Sequence, residues 1–253
     1  MELKRYFIEF SYNGLGFHGW QRQPNALGIQ EVIEDGLSKI LKKKISIIGA
    51  GRTDTGVHAR QMFAHFNASI EDKYLKDLVF LLNNYFPESI NIISLKNVKI
   101  EAHARFDAIE RTYEYYISTV KDPFTNSYHY FLKNVPDIFL MNQASKFLLN
   151  YKDFKCFSKS HTDVKTFLCD IKNASWSKKE SKIVFSITSN RFLRNMVRSI
   201  VGTLLEIGLK KRSIHDMKLI IESKDRSKAG FSVPARGLFL TKIIYPSNVF
   251  LKQ

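Results

Sequence analysis

The sequence predicts an α+β fold: two ferredoxin-like halves, each in the order β-α-β-β-α-β, around a mostly antiparallel sheet that the halves share. Three observations predict it. Strand-type alternation and helix-type spacing follow one another in the same order twice. Hydrophobic residues make up 44% and aromatic residues 13% of the 253 positions, ample apolar material for a folded core. No Pro/Gly/Ser-rich linker interrupts the chain near its middle, so a division into residues 1–108 and 109–253 is tight and leaves a continuous sheet open to both halves.

In the first half Tyr6, Ile8, Phe10 and Tyr12 alternate, as a half-buried strand does. Ile29, Val32, Ile33, Leu37, Ile40 and Leu41 then fall at helical spacing, and Lys42-Lys43-Lys44 suits the negative end of the helix dipole. Strand-like runs follow at Ile45–Ile48 and Gln61–Phe66. A second helix carries Leu75, Leu78, Val79 and Leu82 ahead of Pro87, and Ile90–Leu95 reads as a strand. In the second half, strands are expected at Thr112–Thr119, Thr166–Trp176, Ile183–Thr188 and Leu238–Tyr245. Helices are expected at Phe139–Leu149, Phe192–Leu209 and Ile214–Glu222. No residue-level repeat links the halves, so what is duplicated is architecture.

Charge narrows the partners. Lys plus Arg number 39 against 24 acidic residues, a formal net of +15. Residues 1–108 carry +2 of this and the remainder +13. So lopsided a positive field favours a polyanion, by steering and by release of counterions from phosphates. No run of about 18 apolar residues exists to span a bilayer. The N-terminus lacks a signal pattern, and two cysteines, Cys156 and Cys169, make no disulfide framework. A cytoplasmic protein is expected.

The segment richest in chemistry is Gly49-Ala50-Gly51-Arg52-Thr53-Asp54-Thr55-Gly56-Val57-His58-Ala59, between two strands. An ionisable Asp54 stands two residues from Arg52, and a nearby guanidinium favours the charged carboxylate that nucleophilic chemistry needs. The plainer reading is a turn capped by Asp54 with Arg52 as its local partner. Asp54-Thr55-Gly56 also matches the loop of aspartic proteases, but with one copy in the chain the proton-sharing pair would have to form by dimerisation, and Arg52 opposes it. The loop lacks the Lys-Ser/Thr of a phosphate-binding P-loop. His58 and His65 are not at metal-binding helical spacing, and His103, His129, His161 and His215 lack clustered ligands. No dinucleotide fingerprint occurs, so the chemistry falls to side chains, with no metal or cofactor expected.

Three further segments suit RNA. Tyr12 to Gln23 mixes glycines with Phe17, Trp20, Gln21 and Arg22, which suit base stacking and base-edge hydrogen bonds, or equally a plugged core. Arg111-Thr112-Tyr113 places a ring at a strand start, where it suits an extruded base or simple packing. On the Phe192–Leu209 helix, Arg191, Arg194, Asn195 and Arg198 are expected on one face, with Arg198 beside the apolar stripe, where an anionic partner is needed.

Taken together these segments resemble the TruA family of tRNA pseudouridine synthases. The Gly51–Ala59 segment resembles its catalytic loop and Tyr12–Gln23 its N-terminal motif. His103-Ala104-Arg105-Phe106, Arg111-Thr112-Tyr113, Asp153-Phe154, Phe192-Leu193 with Met196-Val197-Arg198, and Pro234–Leu238 fit in order along nearly the whole chain. Ala102, Asn150-Tyr151-Lys152 and Val233 depart from the family pattern. The resemblance implies the pseudouridine synthase fold, a homodimer, and isomerisation of uridine to pseudouridine in the tRNA anticodon stem-loop, conventionally at positions 38 to 40. It implies Asp54 as nucleophile, Arg198 as its partner, Tyr113 as the base-stacking residue, and Arg52 as a contact to the flipped-out nucleotide. Phe17, Trp20, Gln21, Arg22, Arg191 and Arg194 are further RNA-contact candidates. The competing class is a non-catalytic RNA-binding protein on the same sheet, which leaves Asp54 without a task.

Overall fold

The structure, a computed structural model, describes residues 2–160, 164–179 and 182–251; His161 lies outside them. Nine strands in a mostly antiparallel sheet and five α-helices among the described residues make the fold α+β. The chain divides into two compact units, Met1–Glu110 with Leu240–Gln253, and Arg111–Phe239.

In the first unit, β1 (Lys4–Tyr12) lies between β3 (His58–Ala68) and β4 (Ile90–Val98), antiparallel to both. Tyr6 pairs with Phe66, Ile8 with Ala64 and Phe10 with Met62 across β1 and β3. The register then shifts between Phe10 and Tyr12, a bulge that re-aims Tyr12 beside the loop preceding β3. Helices α1 (Ile29–Ile40) and α2 (Leu75–Tyr85) bury Ile29, Ile33 and Leu37, and Leu75, Leu78 and Leu82. These are among the positions their periodicity marks, the others, Val32, Ile40, Leu41 and Val79, being half-buried.

Strand β2 is shorter than its sequence suggests, Ile48–Gly49 in place of Ile45–Ile48. Ile45 and Ile47 are buried, but side chains of α1 take their backbone donors: Ile45 N donates to Ser38 Oγ (2.9 Å) and Ile47 N to Glu34 Oε1 (3.0 Å). Apolar patterning reports burial, and not which acceptor satisfies the backbone.

The second unit holds β5 (Glu110–Ser118, its first residue closing the first unit), β6 (Tyr130–Phe131), α3 (Ile138–Leu148), β7 (Ile171–Lys179) and β8 (Lys182–Ser189). It continues with α4 (Met196–Gly208) and α5 (Ile214–Ser223). β8 runs antiparallel to β5 and β7, and β6 pairs parallel with β5. Residues 166–170, expected in β7, precede it. Phe154 N donates to Phe167 O (3.1 Å) and Cys169 N to Lys152 O (2.8 Å), so this stretch is tied to residues 152–154. An N-cap at Asp137 starts α3, and a capping box between Ser213 and Asp216 starts α5.

Helix α4 corrects the sequence reading, for it begins at Met196 and not at Phe192. Asn195 takes the left-handed conformation (φ 67°), which ends any helical path from the N-terminal side. Arg191 and Arg194 therefore precede the helix and do not share a helical face with Arg198.

The last strand, β9 (Leu238–Ile244), crosses the division: Leu238 and Phe239 belong to the second unit and the rest to the first. In the first unit its neighbour is β3. A division of the sequence at residue 108 assigns the whole strand to the second half, because alternation in a strand does not encode its partner.

Candidate active site

Asp54 sits in the loop between β2 and β3, half-buried, in a backbone held from several directions. Thr53 before it is buried. Its hydroxyl and that of Tyr12 share a buried hydrogen bond of 2.7 Å, and its carbonyl accepts from Trp20 N (3.1 Å). Asp54 O accepts from Val57 N (3.1 Å), which closes a turn ahead of β3. His58, buried at the start of β3, accepts from Gly14 N through Nδ1 (3.1 Å). Ala50 N donates to Phe63 O (2.7 Å) at the loop's other end.

The N-terminal motif is the other jaw of this clamp. Gly19 has φ +84°, and a Cβ there would lie 2.6 Å from Thr53 O and 3.1 Å from the Asp54 carbonyl carbon. Only glycine allows that conformation and that approach together. The aromatic residues of the motif turn inward. Phe17 is 7% and Trp20 3% exposed, and Trp20 stacks on Phe10 with centroids 5.8 Å apart. Of the two sequence readings of these rings, base stacking and core plug, the burial fits the plug, since a base needs an open ring face. Gly49 gives Trp20 its space: a Cβ there would stand 2.5 Å from the indole.

Gln21 and Arg22 are exposed but engaged. Gln21 Nε2 donates to Gln30 Oε1 (2.9 Å). Arg22 meets Glu34 (3.1 Å), Asp35 (3.3 Å) and Glu31 (3.5 Å), so carboxylates of α1 already surround its guanidinium. Arg52 is exposed, and among the described residues no ion pair joins it to Asp54, two residues on.

In the second unit, Tyr113 is half-buried on β5, packed edge-to-face on Phe192 (5.2 Å, 88°). Arg111 Nη1 donates to Asn190 O (2.6 Å), tying the start of β5 to the residues before α4. Arg198, half-buried on the first turn of α4, donates from Nε to Val233 O (2.7 Å), while Val233 N donates to Arg198 O (3.3 Å). The family departure at Val233 therefore meets Arg198 through backbone, which any residue supplies. Asn195 Nδ2 donates to Ser232 Oγ (2.6 Å) in the same 229–233 strap. Arg194 is exposed and Arg191 half-buried. Cys156 and Cys169 are buried thiols, pushed up to about 12 and about 11 by desolvation, which makes them poor nucleophiles.

Three residues of the loop's frame were not singled out from sequence: Tyr12 and Thr53 as partners, and His58 as an acceptor. No signal exists for the first pair, because partners far apart in sequence carry no spacing rule. His58 was readable only as not metal-binding.

An α+β chain with a clamped acidic loop and a strongly basic second half has the frame of an RNA-modifying enzyme. The tRNA pseudouridine synthase family matches over residues 10–107 and 144–246. The tRNA pseudouridine synthase A of Bacteroides fragilis is 48% identical over 251 residues, covering 99% of this chain and 100% of that protein. That of Parabacteroides distasonis is 49% identical over 251 residues, 98% of each chain, and that of Francisella philomiragia 37% identical over 253 residues, 99% and 98%. This chain belongs to the tRNA pseudouridine synthase family, and is an isomerase. No helix among the described residues is long and apolar enough to cross a membrane.

Proposed function

We propose that the chain converts uridine to pseudouridine in the anticodon stem-loop of tRNA, at positions 38 to 40, with Asp54 as the nucleophile. The reaction exchanges the N1–C1′ glycosidic bond for a C5–C1′ bond. The proton lost at C5 is balanced by one gained at N1, so no oxidant and no energy source are consumed. What the protein has to supply is one fixed carboxylate and a place for a base that has left its stack, an extrusion costing a few kcal/mol.

The observation that carries the reading is the clamp on Asp54. A half-buried carboxylate whose preceding residue is bound through both hydroxyl and carbonyl is pre-positioned, and pre-positioning is what covalent catalysis needs. In this proposal Tyr113 stacks on the flipped nucleotide, Arg198 supplies the guanidinium that pairs with the Asp54 carboxylate, and Arg52, exposed on the same loop, contacts that nucleotide. The basic second half attracts phosphate, with exposed Lys210 and Lys211 better placed than Arg212, whose guanidinium is held by Glu206 (2.5 Å). The functional form is a cytoplasmic homodimer.

The test is to incubate the purified chain with an unmodified tRNA transcript and map pseudouridine. Conversion in the anticodon stem-loop, abolished in Asp54→Ala and Asp54→Asn while tRNA binding persists, is expected. Binding without conversion by the wild-type chain would establish the RNA-binding alternative, and an active Asp54→Ala would remove Asp54 from the chemistry.

A further inference from the structure

The turn from Ala102 to Asp107, in the first unit, has an unusual combination of a tied backbone and a bare aromatic ring. Arg5 Nη1 donates to Ala102 O (3.0 Å), and His103 N donates to Asp107 Oδ2 (2.8 Å). Ala104 N donates to His65 Nδ1 (3.1 Å), and Ala104 O accepts from Tyr245 Oη (2.5 Å). His103 Nδ1 accepts from both Arg105 N (3.1 Å) and Phe106 N (3.3 Å). At the tip, Phe106 is 74% exposed. One side of its ring rests near His103, with centroids 4.3 Å and planes 33° apart, and the Arg105 guanidinium lies 5.7 Å from the ring centroid.

A phenyl ring left in water forfeits the stabilisation of burial. Here the ring is held out on a turn ordered before any ligand arrives, so its partner meets a surface with little ordering entropy left to lose. Despite the supporting His103 ring the phenyl is largely open to solvent, and the Arg105 guanidinium lies over it. An aromatic face with an adjacent guanidinium suits a nucleobase and its phosphate. The formal charge of the whole chain, +15, points to the same polyanion, and because residues 1–108 carry only +2 of it the local attraction at this turn is Arg105.

We propose that Phe106 is a stacking platform for an unpaired or terminal base of the tRNA, with Arg105 as its cationic neighbour; this rests on tRNA being the substrate. The platform is remote from the reacting uridine. His65, which holds Ala104, lies seven residues along β3 from His58, where the Asp54 loop ends, roughly 23 Å at about 3.3 Å per residue. As a platform that only docks the tRNA, the ring makes the same contact in ground and transition states, and such uniform binding acts on KM and leaves kcat alone.

The experiment compares Phe106→Ala and Phe106→Trp with the wild-type chain on full-length tRNA. In Phe106→Ala, KM is expected to rise about 5- to 100-fold, the effect of removing a base-stacking ring, with kcat and Tm unchanged. Phe106→Trp is expected to restore KM, and its indole emission to be quenched by tRNA, against a background of two buried native tryptophans, Trp20 and Trp176. An unchanged KM in Phe106→Ala overturns the platform. So does a fall in oligomer mass at unchanged KM, which assigns the ring to an interface between copies, and so does a loss confined to kcat. Failure of the wild-type chain to modify tRNA at all would instead overturn the proposed function, a different result from an active enzyme indifferent to Phe106.

Discussion

The phenol of Tyr12 and the hydroxyl of Thr53 share a hydrogen bond of 2.7 Å, both groups buried, between the bulged end of β1 and the residue preceding Asp54. It fixes Thr53 from one side while Trp20 N holds its carbonyl from the other. Tyr12→Phe removes one oxygen and leaves a buried hydroxyl seeking a partner, a cost of about 1–3 kcal/mol in stability. A misplacement of even about 1 Å in the loop lowers turnover up to about 100-fold. We expect Tyr12→Phe and Thr53→Val each to lower kcat at least about tenfold with KM little changed, and Thr53→Ser to keep most activity. The double variant should fall no further than either single one, because both remove the same bond. Strictly additive losses would mean that the bond does not position Asp54.

Two glycines with nearly equal dihedrals separate strain from close approach. Gly16 (φ +81°) has open space where a Cβ would stand, whereas Gly19 (φ +84°) has Thr53 O at 2.6 Å. Gly16→Ala carries only the left-handed penalty, roughly 1–2 kcal/mol, and should retain activity. Gly19→Ala carries the same penalty and drives a methyl into the backbone beside Asp54, so it should lower Tm further and lose activity. Equal behaviour of the two in thermal melts and turnover assays would contradict the clamp.

Tyr113 packs edge-to-face on Phe192, a contact made by the ring and not by the phenol oxygen. Tyr113→Phe is therefore expected to keep the packing and much of the activity, while Tyr113→Leu loses turnover. Equal rates would take the ring out of the mechanism. In the role proposed for it, Arg198 keeps Nε on Val233 O and offers its terminal guanidinium nitrogens to the Asp54 carboxylate. Lysine cannot do both. Arg198→Lys should lower kcat about 100-fold with the charge retained, and wild-type turnover would refute that role.

His65 makes stability depend on pH. Burial lowers it to about 4, aided by His103 and Arg5 and opposed by Asp107. His103 is lowered as well, chiefly by burial. The unfolded chain takes up a proton near its ordinary value of 6.5, and the folded chain only near 4. Stability is thus full above about 6.5 and falls as the pH drops toward 4. Protonation also sets an N–H at Nδ1 against the Ala104 N–H it now accepts from. Melts between about pH 7 and about pH 4.5 should show a shallower loss for His65→Gln, whose amide oxygen can accept that donor. A slope as steep as the wild-type one would place the dependence elsewhere.

The order of strands and helices was legible because each element buries one face, and burial leaves a period in the sequence. It failed where the backbone was satisfied by something other than a neighbouring strand or turn, as at Ile45 and Ile47, whose donors go to Ser38 and Glu34. It failed again at Asn195, where one left-handed residue cut the expected helix short and took Arg191 and Arg194 off the face of Arg198. The aromatic residues of the N-terminal motif were ambiguous because a plug and a platform use the same residue types; only their exposure separates Trp20 from Phe106.

Composition and pattern alone determined that this chain is an α+β protein carrying an acidic loop between two strands, and ordered motifs placed it in an enzyme family. Those properties are written locally, in periods, charges and short runs. Tertiary structure alone decided that Tyr12 and Thr53 meet, that Val233 holds Arg198, and that His65 and Tyr245 brace the turn bearing Phe106. Each of those pairings joins residues distant in sequence, and such contacts follow from strand register and packing, which no local pattern encodes.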